Sequence, residues 1–297
     1  MLDVRKLRLL RELAHRGTIA AVADALSYTP SAVSQQLTAL EREAGVPLLE
    51  RSGRRVVLTP AAHLLVGHTE TILAALEHAD AELAGARADL VGTLRIGAFP
   101  TAARGLLSPA LVALSTEHPH LELTVTEIDP ADAPDALRAG TLDIALTHDY
   151  DVVPADPGPA LQTEPLHTDT VHLATPHPVS TADPLRAQRT APWIAGTAGT
   201  LCHTMTLRVC QAAGFTPRVR HHADNFDTVL ALVAAGAGTA IVPGMALPAH
   251  PVDVALTPLP TRRRTHLAYR NGTATHPAIH AARRALHTAA RALASPP

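Results

Sequence analysis

Ser31, Ser34, Gln35 and Thr38 set hydroxyl and amide groups along one side of the stretch Thr29 to Thr38, while Ala32, Val33 and Leu37, with Leu40 following, fall on the other side. Short neutral donors and acceptors of this kind hydrogen-bond the edges of base pairs. A helix that displays them and buries its opposite face has the build of a major-groove reader. Thr29 is an N-cap and Pro30 takes the first helical position, where a missing N–H costs nothing. Nearby Arg51, Arg54 and Arg55 offer charge to phosphate oxygens. A second group lies further on, where Gly97-Ala-Phe-Pro-Thr101 closes a strand-like run and a helix is predicted from Ala102. A threonine hydroxyl beside free helix N–H groups makes an anion pocket there.

The elements that must hold these groups are legible in the spacing of apolar residues. A helix is predicted over Val4 to His15, with Val4, Leu7, Leu10, Leu13 and Ala14 inward and Gly17 ending it. Thr18 caps a short helix bearing Ala21, Val22, Ala25 and Leu26, packed behind the reader, and Gly45-Val-Pro stops the reader itself. Leu48 to Arg51 and Val56 to Thr59 predict a hairpin with a basic tip, a wing whose arginines reach phosphates or the minor groove. Thr59-Pro60 repeats the cap-plus-proline start of a long helix to about Asp89, on which Ile72, Leu76, Ala79, Leu83, Ala86 and Leu90 are spaced 4, 3, 4, 3, 4. That heptad stripe fits either packing within one domain or pairing with a second copy. Its place on a linker between two units favours dimerisation.

From Gly92 strands and helices alternate, which predicts an α/β fold with a parallel sheet covered on both faces. Residues 149–159 are rich in Pro and Asp and predict a loop, and chain crossings near residues 161–168 and 263–268 divide the region into two lobes. Ligands of such a clamshell sit where the strand ends of both lobes meet. By topology Glu127, Ile128, Thr147, His148, Gly196, Thr197, Asn225, Phe226 and Pro243 are cleft positions, each also readable as a turn residue that satisfies its own backbone.

Composition narrows the function class. The 297 residues suffice for two or three compact units, and 46% hydrophobic content supports a core that must be aliphatic, since aromatics make up 2%. Residues 1–60 carry nine Arg/Lys and six Asp/Glu, a net of +3, against −5 for the remainder, as suits a chain that touches phosphate at one end. An amphipathic charged start in place of an apolar leader, two cysteines and no apolar run of membrane-spanning length predict a cytoplasmic protein without membrane association or a disulfide framework.

Taken in order, Ala20-Ala-Val-Ala-Asp-Ala-Leu26, Thr29-Pro-Ser-Ala-Val-Ser-Gln-Gln-Leu37, Leu40-Glu41, Gly45-Val-Pro-Leu-Leu-Glu-Arg51 and Leu58-Thr-Pro60 closely resemble the winged helix-turn-helix of LysR-type transcriptional regulators. The resemblance covers nearly the whole chain, strongly to residue 60 and weakly after residue 92. It implies a winged helix-turn-helix DNA-binding domain over 1–59, a linker and dimerisation helix over 60–90, and a two-lobed effector domain similar to periplasmic binding proteins over 91–297. Lobe I would hold 91–162 and 267–297, lobe II 163–266. It further implies a dimer or a homotetramer built from dimers, promoter DNA as partner, base contacts from Ser31, Ser34 and Gln35, backbone contacts from Thr29 and Arg51, and effector contacts at Pro100 and Thr101. Pro30 and Gln35 depart from the common pattern, so base preference does not transfer from other members. A carboxylate is the natural guess for the effector, because helix N-termini favour negative charge, and His148 could add a proton-dependent contact.

Other features carry less. Peroxide-sensing relatives keep a redox pair at a spacing like that of Cys202 and Cys210, yet eight residues on one helix separate two thiols by about 12 Å. Disulfide Cα atoms must approach within about 7 Å. His118-Pro-His120 and His221-His222 lack zinc-ligand spacing, no cofactor motif and no catalytic constellation stands out, and Arg262-Arg-Arg264 predicts a solvated loop or subunit contact. Two alternatives stay open beside a ligand-controlled regulator: a small-molecule-binding protein or enzyme without a DNA role, and a thiol-based redox sensor.

Overall fold

The computed structural model describes residues 1–52, 55–86, 90–248 and 253–294, residues 51, 52 and 55 by their backbone alone. The chain forms two compact units, Met1–Ala88 with Arg270–Pro277, and Asp89–Tyr269 with Ala278–Pro297.

In the first unit, α1 (Val4–Arg16), α2 (Ile19–Leu26) and α3 (Pro30–Ala44) enclose an aliphatic core of Leu7, Leu9, Leu10, Leu13, Val22, Val33, Leu37, Leu40 and Leu48. The caps are those the sequence announces. The Oγ1 atoms of Thr18 and Thr29 each accept from the backbone N–H three residues on, at 3.2 Å, and Gly17 and Gly45 end their helices in the left-handed region. Ser27 is the only non-glycine residue described with positive φ (57°) and makes the turn between α2 and α3. Val4, expected inside, is exposed, because α1 turns Leu9 inward instead. Arg11 and Glu12 are buried among the leucines, which hydrophobic periodicity could not foresee. Glu12 accepts from Arg11 at 2.7 Å and from Arg16 at 2.9 Å. Strands β1 (Leu49–Ser52) and β2 (Arg55–Leu58) pair antiparallel as the wing. Helix α4 (Pro60–Gly85) follows, with Ala62, Thr69, Leu73 and Ala81 buried. It stops earlier than expected: Ala86 is its C-cap, and Leu90 lies beyond it. The turn 270–277, assigned to the first lobe on sequence, clusters with this unit, since Gly272 lies so close to α4 that a Cβ there would stand 2.1 Å from the Ala74 carbonyl oxygen.

The second unit is one eight-stranded mixed sheet in the order β4-β3-β5-β10-β6-β9-β7-β8. Its strands are β3 (Gly92–Ala98), β4 (Leu121–Glu127), β5 (Ile144–Tyr150), β6 (Leu161–Thr175), β7 (Pro192–Ala195), β8 (Arg218–His222), β9 (Thr239–Pro243) and β10 (Ala255–Arg270). Helix α5 (Pro100–Ala102) continues through a π turn at Ala103–Leu107 into α6 (Ser108–Glu117). The remaining helices are α7 (Ala133–Ala139), α8 (Pro184–Ala187), α9 (Leu201–Ala212), α10 (Phe226–Ala234) and α11 (Pro277–Ala294). Parallel pairing holds β3 to β4 and β5, and β7 to β8 and β9, as expected from strand–helix alternation. The two long strands β6 and β10 are the crossings, and they run antiparallel to β9 and β5. The expected loop over 149–159 begins later, because β5 extends through Asp149 and Tyr150 to pair with β10. No described helix is long and apolar enough to cross a membrane, and no described group of three or more His, Cys, Asp or Glu side chains could hold a metal ion.

Candidate functional site

Helix α3 buries Val33, Leu37 and Leu40 completely and leaves Pro30, Ser31, Ser34, Gln35 and Thr38 exposed. Its outward face is therefore a row of uncharged hydrogen-bonding groups on a rigid, doubly capped rod. Thr18 and Thr29 are exposed but committed to their caps through Oγ1. Arg51 and Arg55 lie in the wing strands, described by their backbone alone, and Arg54 lies outside the described residues.

In the second unit a cleft of about 370 Å³ opens where the strand ends of the two lobes meet. One lobe contributes Phe99 to Thr101, Arg104, Glu127 to Pro130 and His148; the other contributes Thr200, Cys202 and Asp224 to Phe226. Arg263, on a crossing strand, forms its floor. Its guanidinium is fully buried and donates from Nε and Nη2 to the two carboxylate oxygens of Asp169 (3.1 and 3.0 Å) and from Nη1 to Thr101 Oγ1 (3.2 Å). It also lies 5.4 Å from the centre of the Phe99 ring. The His148 ring meets Phe99 and Tyr150 edge-on, at 4.7 and 5.2 Å, and its Nδ1 is buried without a hydrogen-bond partner. Burial, reinforced by Arg263 and then His266, holds the imidazole well below its ordinary pKa of 6.5, so it is neutral at pH 7. Cys202 Sγ and the Tyr150 hydroxyl are 3.3 Å apart, and burial pushes both groups up in pKa. At the cleft edge Arg104 pairs with Asp227 at 2.6 Å, joining the lobes.

Residues 4–63 match the bacterial regulatory helix-turn-helix protein of the lysR family, and residues 87–291 match the LysR substrate binding domain. The chain belongs to the LysR family. It is 30% identical over 278 residues to a probable hydrogen peroxide-inducible genes activator of Mycobacterium leprae, an alignment covering 90% of this chain and 88% of the relative. With the transcriptional dual regulator GltC of Bacillus subtilis it shares 28% identity over 247 residues, covering 82% and 81%. Among solved structures it is similar to an OxyR C206 mutant of Corynebacterium glutamicum, at 26% identity and a TM-score of 0.58, with 99% of this chain and 93% of that one covered. Like the family, this LysR-type transcriptional regulator joins a DNA-binding helix-turn-helix to a domain that binds small-molecule effectors.

Of the cleft residues expected in this LysR-type chain, Pro100, Thr101, Glu127, Ile128, His148, Asn225 and Phe226 line it, while Thr147, Gly196, Thr197 and Pro243 do not. Thr147 and His148 are neighbours in β5, and strand alternation sends them to opposite faces. The Gly196 carbonyl accepts from Nδ1 of His203 and of His222, a packing role beneath the cleft. Thr197 donates N–H and hydroxyl to Asp224, at 2.8 and 2.6 Å, and so orients a lining group without being one. Pro243 is buried in β9 opposite Val171. Arg263, Asp224, Asp129 and Cys202 were not expected here. For Arg263 a signal existed: Leu259, Thr261, Arg263, Thr265 and Leu267 are all buried at the period of a strand. Arg262-Arg-Arg264 is thus neither a loop nor a uniformly solvated run.

Proposed function

We propose that Ser31, Ser34, Gln35 and Thr38 read base edges in the major groove, while the helix starts at Thr18 and Thr29–Pro30 and the wing arginines Arg51, Arg54 and Arg55 bear on the backbone of promoter DNA. The observation that carries this is the clean division of α3 between a fully buried aliphatic face and an exposed polar one. The effector lies in the cleft between the lobes, over Phe99–Thr101, His148 and Asn225–Phe226, and the domain boundaries at residues 59 and 90 follow from the same division of labour. The exposed stripe Ile72, Leu76, Ala79, Leu83 and Ala86 joins two copies. The protein acts in the cytoplasm and performs no catalysis, as fits its membership of a family of transcriptional regulators.

A gel shift on the protein's own upstream intergenic DNA tests the assignment. Ser34→Ala/Gln35→Ala should lose site selectivity, each base contact being worth about 1–3 kcal/mol, with the melting temperature unchanged. Unaltered discrimination between specific and scrambled duplexes in that variant sinks it.

A redox reading draws on the names of the mycobacterial relatives and on Cys202 in the cleft. The thiol environments oppose it: burial pushes the Cys210 thiol up to about 12 and raises Cys202 too, and a scarce thiolate is a slow nucleophile. Unchanged DNA affinity after peroxide treatment is the outcome expected.

A further inference from the structure

The effector cleft has a charge of its own, and its sign bears on what enters. Three lining carboxylates, Glu127, Asp129 and Asp224, make no ion pair with any described residue. Asp224 is held instead by the N–H and hydroxyl of Thr197, and Asp129 by the Ala131 N–H at 2.8 Å. Both lining guanidiniums are already matched, Arg263 by Asp169 and Arg104 by Asp227. The Thr101 hydroxyl, expected to help hold an anion, accepts from Arg263. The charge left unmatched in the cleft is therefore negative.

We propose that the cleft takes a small organic cation, an amine carrying an apolar body, and that this cation draws the two lobes together. The proposal rests on the reading of the cleft as the effector site and names the ligand class. Phe99, Ile128, Pro130 and Phe226 supply apolar walls for the body, and an aromatic face also attracts a cation. Independently of the carboxylates, the His148 side chain lines the cleft at 4% exposure with Nδ1 lacking any partner. The neutral ring keeps one of its two nitrogens free of a proton, and that nitrogen accepts a hydrogen bond from an ammonium N–H. The volume of about 370 Å³ stands at the small end of ligand cavities, which favours a compact metabolite over a peptide or polymer. Glu127 and Asp129 belong to one lobe and Asp224 to the other, so their repulsion opposes closure and a cation between them removes it.

Titration calorimetry on the full chain, with probes matched in shape and differing in charge, tests this. The probes are 2-phenylethylamine, 2-phenylethanol and 3-phenylpropionate, with 1,5-diaminopentane and glutarate as an aliphatic pair. At least one amine should bind about tenfold or more tightly than its matched carboxylate, and more weakly as salt is raised. In Glu127→Gln/Asp129→Asn the amine should lose about five- to twentyfold in affinity while the matched carboxylate gains, opposite signs that a merely structural role would not produce. A carboxylate that outbinds its amine partner, or no amine binding up to about 10 mM, overturns the cation. If carboxylate binding is then abolished by Phe226→Ala, the cleft remains the effector site and only the ligand class was wrong. Amine binding that survives both the double variant and Phe226→Ala overturns the cleft reading as well as the cation.

Discussion

Arg263 is withdrawn from water on a crossing strand, with Asp169 and Thr101 as its partners. Desolvating a guanidinium costs several kcal/mol and is offset only by a well-formed set of hydrogen bonds, so the pair is far more sensitive to loss of one member than of both. Arg263→Met should destabilise the effector unit by about 3–5 kcal/mol, by leaving the buried Asp169 carboxylate without its counter-charge and with only the Met245 N–H, and adding Asp169→Leu should recover most of that. Thermal or urea unfolding of the single and double variants measures it; a single variant within about 1 kcal/mol of the parent contradicts the account. At this scale the sequence was least informative. Thr147 and His148 are adjacent, as are the chemically identical Arg262 and Arg263, and only the strand's alternation separates a lining or buried member from its neighbour.

Elements were far more legible than residues, because helix starts and stops are local chemistry. The threonine caps of α2, α3 and α4 and the prolines opening α3 and α4 stand where the sequence places them. The end of α4 was not: nothing in the repeat of small and apolar residues marks Gly85 as its last residue. On α4, Ile72, Leu76, Ala79 and Leu83 are exposed while Leu73 and Ala81 turn inward, so the helix carries an apolar stripe its own unit leaves uncovered. A stripe of that spacing is worth covering by a second copy. Leu76→Asp/Leu83→Asp should therefore raise the self-dissociation constant by about a hundredfold or more, each buried leucine contributing about 1.5–3 kcal/mol. Sedimentation velocity across a concentration series reads this directly, and an unchanged assembly state counts against a role for the stripe.

At the scale of the whole molecule, one buried and two half-buried histidines couple stability to acidity. Burial holds His148 well below its ordinary pKa and lowers His167 and His172 in the same direction. The unfolded chain takes up protons near pH 6.5 while the folded chain does not, so the contribution is complete above that pH and is lost as the pH falls through it toward the depressed values. For His148 the limit is about 1.4 kcal/mol per pH unit. The melting temperature of the effector unit should drop between pH 7.5 and 5.5, and His148→Gln should flatten the slope; a rise on acidification would refute the coupling. The resemblance carried by residues 18–60 points to the family, and the caps, the aliphatic face of α3 and the strand–helix alternation set the order of elements, since each depends on residues a few positions apart. The composition of the cleft was decided only by tertiary structure. Its walls come from segments spread between Phe99 and Arg263, and its charge depends on which carboxylates find a guanidinium. Pairings such as Arg263 with Asp169, far apart in the chain, are settled by the register of the crossing strands and leave no trace in local spacing.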